Sequence, residues 1–586
     1  MKRPAWTVRA VVALAAVILF AYGTGSAVYV AAFGVRRDPG TVVVAAPPEL
    51  KGDALRLAHG FEAAYPDYRA TLVESTGPGS GFRLLATGSA DFALVTAPVE
   101  ADLEPYLLPA ETVLFRHADL LAVPFPSAQV ALTLEEAETA RAAAADRAAA
   151  AARAAAPNAG PANGLDAATP ASAAVEDIQL LSPAERSPDK QLLEVAGVYP
   201  TLKTVLDGTY PLAVDVRAAR RRPAGFWGFL GRLPFVRAWS EPNAAAADAF
   251  AAWLASDGAR ACFYGTSAEI TLAAVGDVML GRKTGRMIDQ YGLDYPFSLV
   301  GERLAAADLT FCNLEAPLGT TGTMIPGKEI WLRGRPEYVQ CLKQAGVDVV
   351  NLANNHILDY DSPCLLETMD ILDRNGIAYA GAGPNAAAAR RPAVLNVGGV
   401  RVAFLGFTEF ADPGLFWDLH YRRTFLASDT EPGCNPLDLE LVAEDIARAE
   451  TLADVVVVVY HWGTEDVPYP KAWNPKNDLE AIARRTIELG ADLVLGTHPH
   501  AQQGYEVYKG GLIAYSLGNF VNDQAKPTQK EAVILELELG PVGVLSARLV
   551  PCWIEDTTRP RYMQGEEAQR LLTKIREISV GFRDHR

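Results

Sequence analysis

Paired cysteines, basic charge and histidines are all scarce in this chain, and each scarcity removes a class of function. Six cysteines (Cys262, Cys312, Cys341, Cys364, Cys434, Cys552) are scattered with no C-x-x-C pair, which argues against zinc ribbons and thioredoxin-like motifs. Their even number permits disulfides in an oxidising compartment, but free buried thiols are the expectation. Lys and Arg number 53 against 70 Asp and Glu, and the net charge of −17 leaves no basic stripe for nucleic acid. Phosphate-bearing small molecules stay accessible, because a metal can supply local positive charge. The chain has no G-x-x-x-x-G-K-[ST] loop, so ATP-driven ligation by this protein alone is not expected. What it does have is apolar mass: half of its 586 residues are hydrophobic, enough to core two to four domains.

Long apolar runs are confined to the N-terminus. Lys2, Arg3 and Arg9 precede an uncharged stretch from Ala10 to Phe33, 24 residues long, and Arg36 and Arg37 follow it. A spanning helix needs roughly 20 residues, whereas the apolar part of a cleaved signal has about 7–15. The small residues Gly23 to Ala27 leave cleavage open, but the length favours a single-pass anchor over residues 1–38. The flanking charges put the N-terminus in the cytoplasm and the bulk outside it, so the cell membrane is the expected location.

Residues 39–268 begin with a strand–helix–strand rhythm, "TVVVAAPPEL", "DALRLAHGFEAAYP" and "YRATLVES", which predicts an α/β domain with parallel pairing. The following loop carries Thr76, Ser80 and Gly81 just before a helical pattern. It reads either as an anion site at a helix N-terminus or as an ordinary capped turn. From about 135 to 182 the composition collapses to Ala, then Pro, Gly and Asn. The first part predicts an exposed helix and the second a disordered insertion without chemistry. "AAAADAFAAWLASDGARACFYG" predicts an amphipathic helix ending at Gly258. The Gly/Ser loop at 77 to 81, "GSADFALVTA", "LDGTYPL" and that closing helix resemble periplasmic phosphate-binding proteins of ABC transporters. The Ala-rich segment stands where most of a second lobe would be, so the domain is read as a reduced one. A degenerate structural lobe and a working phosphate receptor both remain open.

A second α/β pattern starts at Glu269. Near-continuous apolar runs, as in "EITLAAVGD", "ADLTFCNLE", "VDVVNLANNH", "ADVVVVVYHW" and "ADLVLGTHPH", predict strands covered on both faces. Polar residues gather at their C-terminal ends: Asp277, Asn313 and Glu315, Asn354 to His356, His461, then His498 and His500. Ligands of open α/β sheets bind at that edge. Only 8 histidines exist in the chain, and four of them stand at these strand ends. Carboxylates, an Asn carbonyl and imidazoles together suit a borderline divalent cation such as Mn, Zn or Fe. Pro499 ends the last strand, so that His498 and His500 can both turn inward.

"AAVGDVMLGR", "NLEAPL", "NLANNHILDYD", "YHWGTE" and "GADLVLGTHPHAQQGYEVYKGGLIAYSLGNFV" together resemble the capsule synthesis protein CapA family, linked to poly-γ-glutamate capsules. The resemblance spans about residues 269–560, with 561–586 left as a C-terminal helix and tail. It implies a four-layer αββα fold of the calcineurin-like metallophosphoesterase type and a site for one or two metals. It also implies roles. Asp277 and His500 would hold one metal, Glu315 would bridge, and Asn355, His461 and His498 would hold the second. His356 would touch the substrate and protonate the leaving oxygen. Arg282 and Arg333 are candidate anion contacts. Met279 stands where the wider phosphoesterase pattern has a His ligand, and thioether sulfur ligates hard cations poorly. The resemblance thus implies a metal-dependent phosphoesterase acting on phosphorylated or polyanionic substrates, alongside membrane proteins of polymer synthesis. A non-catalytic scaffold in a synthesis or export complex and a phosphate or anion sensor are the alternatives.

Overall fold

A computed structural model describes residues 40–75, 84–85, 89–96, 113–118, 120–124, 131–154, 179–196, 198–206, 209–220, 244–265, 268–411, 424–556 and 558–584. The expected anchor, the loop with Thr76, Ser80 and Gly81, and the Pro/Gly-rich part of the insertion lie outside the described residues. Among the described residues no helix is long and apolar enough to cross a membrane. The chain divides into two compact units: one of Met1–Asp119, Ser182–Ala184 and Leu202–Ser267, the other of Leu120–Leu181, Glu185–Thr201 and Ala268–Arg586.

The first unit holds a five-stranded sheet in the order Arg69–Glu74, Thr41–Ala46, Phe92–Val95, Ala213–Arg220, Val113–Ala118. The first three strands are parallel and Ala213–Arg220 runs antiparallel to its neighbours. Helix Lys51–Ala64 packs through Phe61 onto Phe250 of helix Ala244–Leu254, with ring centroids 5.0 Å apart. The expected single helix ending at Gly258 is instead two. The first stops at Leu254, and Ser256 caps a second, Asp257–Tyr264, by accepting from the Ala259 amide at 3.3 Å. A serine in extended backbone starts a new helix by satisfying an orphan N–H, and this outweighed the Ala-rich periodicity.

The second unit is built on two sheets. The larger one, of eight strands, runs Ala378–Ala380, Val349–Asn351, Leu309–Leu314, Ile270–Val278, Glu531–Gly540, Gly543–Glu555, Arg559–Tyr562, with Asn519–Val521 beside the end of Ile270–Val278. The first four are parallel and the last three form an antiparallel extension. The second sheet, of six strands, runs Ala393–Val397, Val400–Thr408, Val455–His461, Leu493–Thr497, Gly511–Ala514, Tyr505–Tyr508.

Alternation explains the layers. Leu309 and Phe311 enter the core shared with the second sheet, and Cys312 and Leu314 enter the core under the helices. In the second sheet Val455, Val457 and Val459 face the shared core, and Val456, Val458 and Tyr460 face helices Leu439–Glu450 and Leu479–Glu488. Phe311 and Phe404 stack across the sheet–sheet interface at 5.7 Å. The order is therefore helices, sheet, sheet, helices. Helix Gly565–Asp584 is part of this body, because Leu571, Leu572 and Ile575 join the shared core.

Residues 120–201, read from the sequence with the first domain, belong to the second unit apart from 182–184. Helix Leu134–Ala154 starts with a reciprocal cap. The Thr133 amide donates to Glu136 at 2.8 Å, and the Glu136 amide donates to the Thr133 hydroxyl at 3.3 Å. The helix was expected to be exposed, but Ala137, Ala140 and Ala144 form a buried stripe at helical spacing. Farther along, buried Arg186 pairs with Glu269 at 2.7 Å and with Glu538 at 3.0 Å. All six cysteines are free thiols, five of them buried.

Candidate metal centre

Two rungs of backbone register bring the site together. Asp277, Asn313 and Asn351 are neighbours across the carboxyl ends of the first sheet. Thr408, His461 and Thr497 are neighbours across the carboxyl ends of the second. Gly276 makes room for this meeting: its amide neighbour Asp277 bonds to the Gly518 carbonyl at 2.9 Å, and a Cβ at 276 would lie 1.9 Å from that oxygen. Gly276→Ala is expected to destabilise the unit by about 1–3 kcal/mol or more through overpacking. Urea unfolding checks this, and an unshifted midpoint would contradict it.

His461 is the hub on the second sheet. Its Nδ1 meets the Thr497 hydroxyl at 3.0 Å, and its Nε2 meets Asn355 Oδ1 at 3.0 Å and His498 Nδ1 at 3.2 Å. His498 and His500 have φ of 94° and 57°, a left-handed backbone that non-glycine residues seldom adopt. This turn, made as the strand ends, aims both rings into one place, with centroids 5.5 Å apart. The His498 amide donates to Asp277 Oδ2 at 3.3 Å, and His500 Nδ1 lies 3.2 Å from the same oxygen.

Glu315 sits at the centre. Its Oε1 is 3.8 Å from His461 Nε2 and 3.8 Å from His500 Nε2. Two ligand sets form, Glu315–His498–His500 and Asp277–Glu315–His461, each with its ligating atoms within 4.8 Å of one another. Glu315 belongs to both. Both Glu315 carboxylate oxygens and His498 Nε2 are buried without a hydrogen-bond partner. Buried polar atoms are nearly always satisfied, so three orphans on residues of one ligand cluster fit a cation. The sets group the histidines otherwise than the motif-derived roles do, since His461 joins Asp277 and His498 joins His500.

The electrostatics agree with a cation site. Burial, then the Asp277 carboxylate, raises Glu315 well above the usual carboxyl range. Burial, then the neighbouring imidazoles, holds His461 and His498 well below the usual value, which keeps them neutral as ligands must be. Burial also works to lower His500, but the Glu315 and Asp277 carboxylates override it and raise the ring to about 10, so His500 would have to release a proton to ligate a cation.

The Asn354–Asn355–His356 turn divides its labour. Asn354 is structural: its Nδ2 donates to the Leu314 carbonyl at 2.9 Å, and its Oδ1 accepts from the His356 amide at 3.0 Å. Asn355 reaches His461. His356 Nδ1 contacts Asp359 Oδ2 at 2.7 Å, which leaves Nε2 as the working nitrogen. Burial lowers the proton affinity of His356, and Asp359 opposes that. Arg282 pairs with Asp523 at 3.1 Å, and Arg333 lies over the Tyr360 ring at 3.8 Å. Met279 packs with Ala316 and Leu332, and its sulfur accepts from the Gly281 amide at 3.1 Å.

Sequence reasoning missed four side chains here. Asn313 donates to Asp277 Oδ1 at 2.8 Å. Asp359 and Lys328 flank His356. Glu409 gathers the Gly463 amide at 2.8 Å, the Asn474 amide at 2.8 Å and the Asn477 side chain at 2.9 Å, and its neighbour Phe410 packs 4.3 Å from the His498 ring. Asn313 was noted as a strand-end residue but given no role, and the "HILD" spacing of three between His356 and Asp359 was the available signal for the second.

The model of a family described as bacterial capsule synthesis protein PGA_cap matches residues 271–524. The capsule biosynthesis protein CapA of Bacillus anthracis is 34% identical over 295 residues, covering 49% of this chain and 68% of that one. The PGA biosynthesis protein CapA of Bacillus subtilis (strain 168) is 32% identical over 312 residues, covering 53% of this chain and 78% of that one. An ABC-type phosphate transport receptor from Vibrio cholerae aligns with 38% of this chain and 96% of its own, at 12% identity and a TM-score of 0.25, a likeness that carries no argument.

Proposed function

The chain belongs to the bacterial capsule synthesis protein family, and from that premise we propose that it serves capsule or poly-γ-glutamate production as a metal-dependent phosphoesterase on the outer side of the cell membrane. The observation that carries the reading is the buried Glu315 carboxylate, common to both ligand sets and unpartnered at both oxygens. The layered pair of sheets with the cluster at their carboxyl ends supports a metallophosphoesterase-like fold. The anchor proposed for residues 10–33 rests on its length and basic flanks, and membrane proteins of polymer synthesis are the proposed partners.

In this reading Asp277, Glu315, His461, His498 and His500 hold one or two divalent cations, Mn, Zn or Fe by donor chemistry, with Asn355 contributing its carbonyl. Bound there, such ions supply Lewis acidity to a phosphoryl oxygen and lower the pKa of water toward about 7. Asp359 holds the His356 ring by Nδ1, so Nε2 passes a proton to the departing oxygen. A buried imidazolium gives that proton up readily, a step worth about 10²–10⁴ in rate. Phosphate mono- or diesters are the substrate class. Met279 favours a second reading, a non-catalytic part of a synthesis or export assembly, because its sulfur is occupied within the fold where a ligand would otherwise stand.

Metal analysis of the full chain, paired with hydrolysis of an aryl phosphate, tests the proposal. His461→Ala is expected to lose most of its metal, whereas His356→Ala keeps metal and loses about 10²–10⁴ in turnover. Equal metal and equal activity in both variants and the parent would remove the enzyme reading.

A further inference from the structure

Segment 319–334 belongs to no long helix or strand, yet it delivers a cation to the centre. Turns at Gly322 and Gly327, with φ of 80° and 86°, precede Lys328. The Lys328 side chain is 11% exposed. Its ammonium donates to the Asn355 backbone carbonyl and to Asp359 Oδ1, stands 3.5 Å from His356 Nδ1, and lies over the Phe425 ring at 5.2 Å. Asp359 is fully buried, and its second oxygen accepts from the Leu332 amide at 2.6 Å and meets His356 Nδ1 at 2.7 Å. One carboxylate thus joins the ammonium to the imidazole. The same ammonium grips the backbone of the residue whose side chain reaches His461.

A buried lysine serving stability alone is a poor choice. Desolvating an ion pair costs several kcal/mol, and apolar replacements of such pairs are often neutral or stabilising. Its placement calls for another purpose. Lys has three donors and no acceptor, so it cannot take the proton of His356 Nδ1 in place of Asp359. Besides the direct effect of its charge on the imidazole, it fixes where Asp359 and Asn355 stand.

We propose that Lys328 is a positioning residue for both halves of the candidate reaction: through the Asn355 carbonyl it sets a metal ligand, and through Asp359 it sets the imidazole of His356. The assignment rests on the metal-dependent phosphoesterase reading and adds to it a residue from outside the strand ends. Groups that orient metal ligands from behind typically carry 10–100-fold of metal affinity. The imidazole side has a separate signature, because an alkyl leaving group needs the proton that a nitrophenolate does not.

The test compares the full chain with Lys328→Met and Lys328→Arg. The first readout is the affinity of chelator-stripped protein for Mn²⁺ and Zn²⁺ by calorimetric titration. Lys328→Met is expected to bind about 10–100-fold more weakly, with Lys328→Arg recovering most of the loss. The second readout is turnover of an alkyl phosphate against p-nitrophenyl phosphate. In Lys328→Met, kcat for the alkyl ester falls at least about tenfold further than kcat for the nitrophenyl ester, with KM little changed. Should Lys328→Met fail to fold, Asp359→Asn is read for the same leaving-group split. Metal affinity within twofold of the parent, or an Arg variant as weak as the Met variant, would overturn the assignment. A parent that binds metal but hydrolyses neither ester would sink the phosphoesterase reading, while the affinity series still decides the role of Lys328.

Discussion

Glu315→Gln is expected to abolish metal binding and yet leave the chelator-treated protein at least as stable as the parent. The two effects share one cause. Glu315 is common to both ligand sets, so removing its charge weakens both at once. Without a cation, however, that charge has no hydrogen-bond partner and faces Asp277, and the His500 ring 3.8 Å away offsets only part of the penalty. Its folded pKa is raised well above the ordinary value, first by burial and then by Asp277. A carboxyl raised in the fold keeps a proton that the unfolded chain has released, so stability falls as pH climbs past the unfolded value. The neutral amide avoids that loss. At pH 8 in chelator the Gln variant should therefore match or exceed the parent, and at pH 4 the difference should vanish. With metal at a hundred times its dissociation constant the parent gains about 2.7 kcal/mol and the variant gains nothing. Calorimetric melts with and without metal measure all three, and parent-like metal content in the variant would contradict the account.

Arg186→Met is expected to be the most damaging change far from the metal cluster. The guanidinium is almost fully buried between Glu269 and Glu538, at 2.7 and 3.0 Å, so its loss leaves two carboxylates in the interior without their cation. Breaking a buried pair in this way costs about 3–5 kcal/mol. The loss depends on pH. Glu538 is raised to about 7, by burial first and by Glu269 next, while Arg186 opposes the rise. Between the unfolded carboxyl value and about 7 the fold holds a proton that the unfolded chain has lost, so stability declines as pH rises through that window. Removing Arg186 deepens the decline. Urea unfolding should show the full deficit at pH 8 and a much smaller one at pH 5. An equal deficit at both would mean that packing, rather than charge, is what Arg186 provides.

The candidate metal cluster was more legible in the sequence than the way the units divide. Asp277, Glu315, His461, His498 and His500 each end an apolar run, and the carboxyl edge of a parallel sheet brings such ends together whatever the loops do. The inward turn at His498 and His500 could be expected from Pro499 alone. Lys328 gave no such sign, because it comes from a segment without periodicity, whereas Glu409 stands at the end of the apolar run Val400–Thr408 and could have been read by the same rule as the others. The grouping of residues 120–201 with the second unit, apart from 182–184, was hidden for a different reason. Arg186 and Glu538 are 352 positions apart, and a lone arginine in a polar stretch looks the same whether it is solvated or clamped. The break at Ser256 was readable as a cap but was hidden by alanines that extend a helix on either side of it. Met279 was noticed as a departure, but only the fold reveals that its sulfur is occupied by the Gly281 amide.

Asp277 and His498 meet at 3.3 Å although 221 residues separate them along the chain. No shorter piece of polypeptide contains both ends of the cluster, and closing so long a loop comes late in assembly because its entropy must be met before the contact is gained. During synthesis, and during any passage through a membrane in extended form, the polypeptide therefore carries no competent cage. A cation held by this cluster would be drawn from whichever compartment the finished fold matures in, so the ionic content of that compartment, as much as the donor set, would select the occupant.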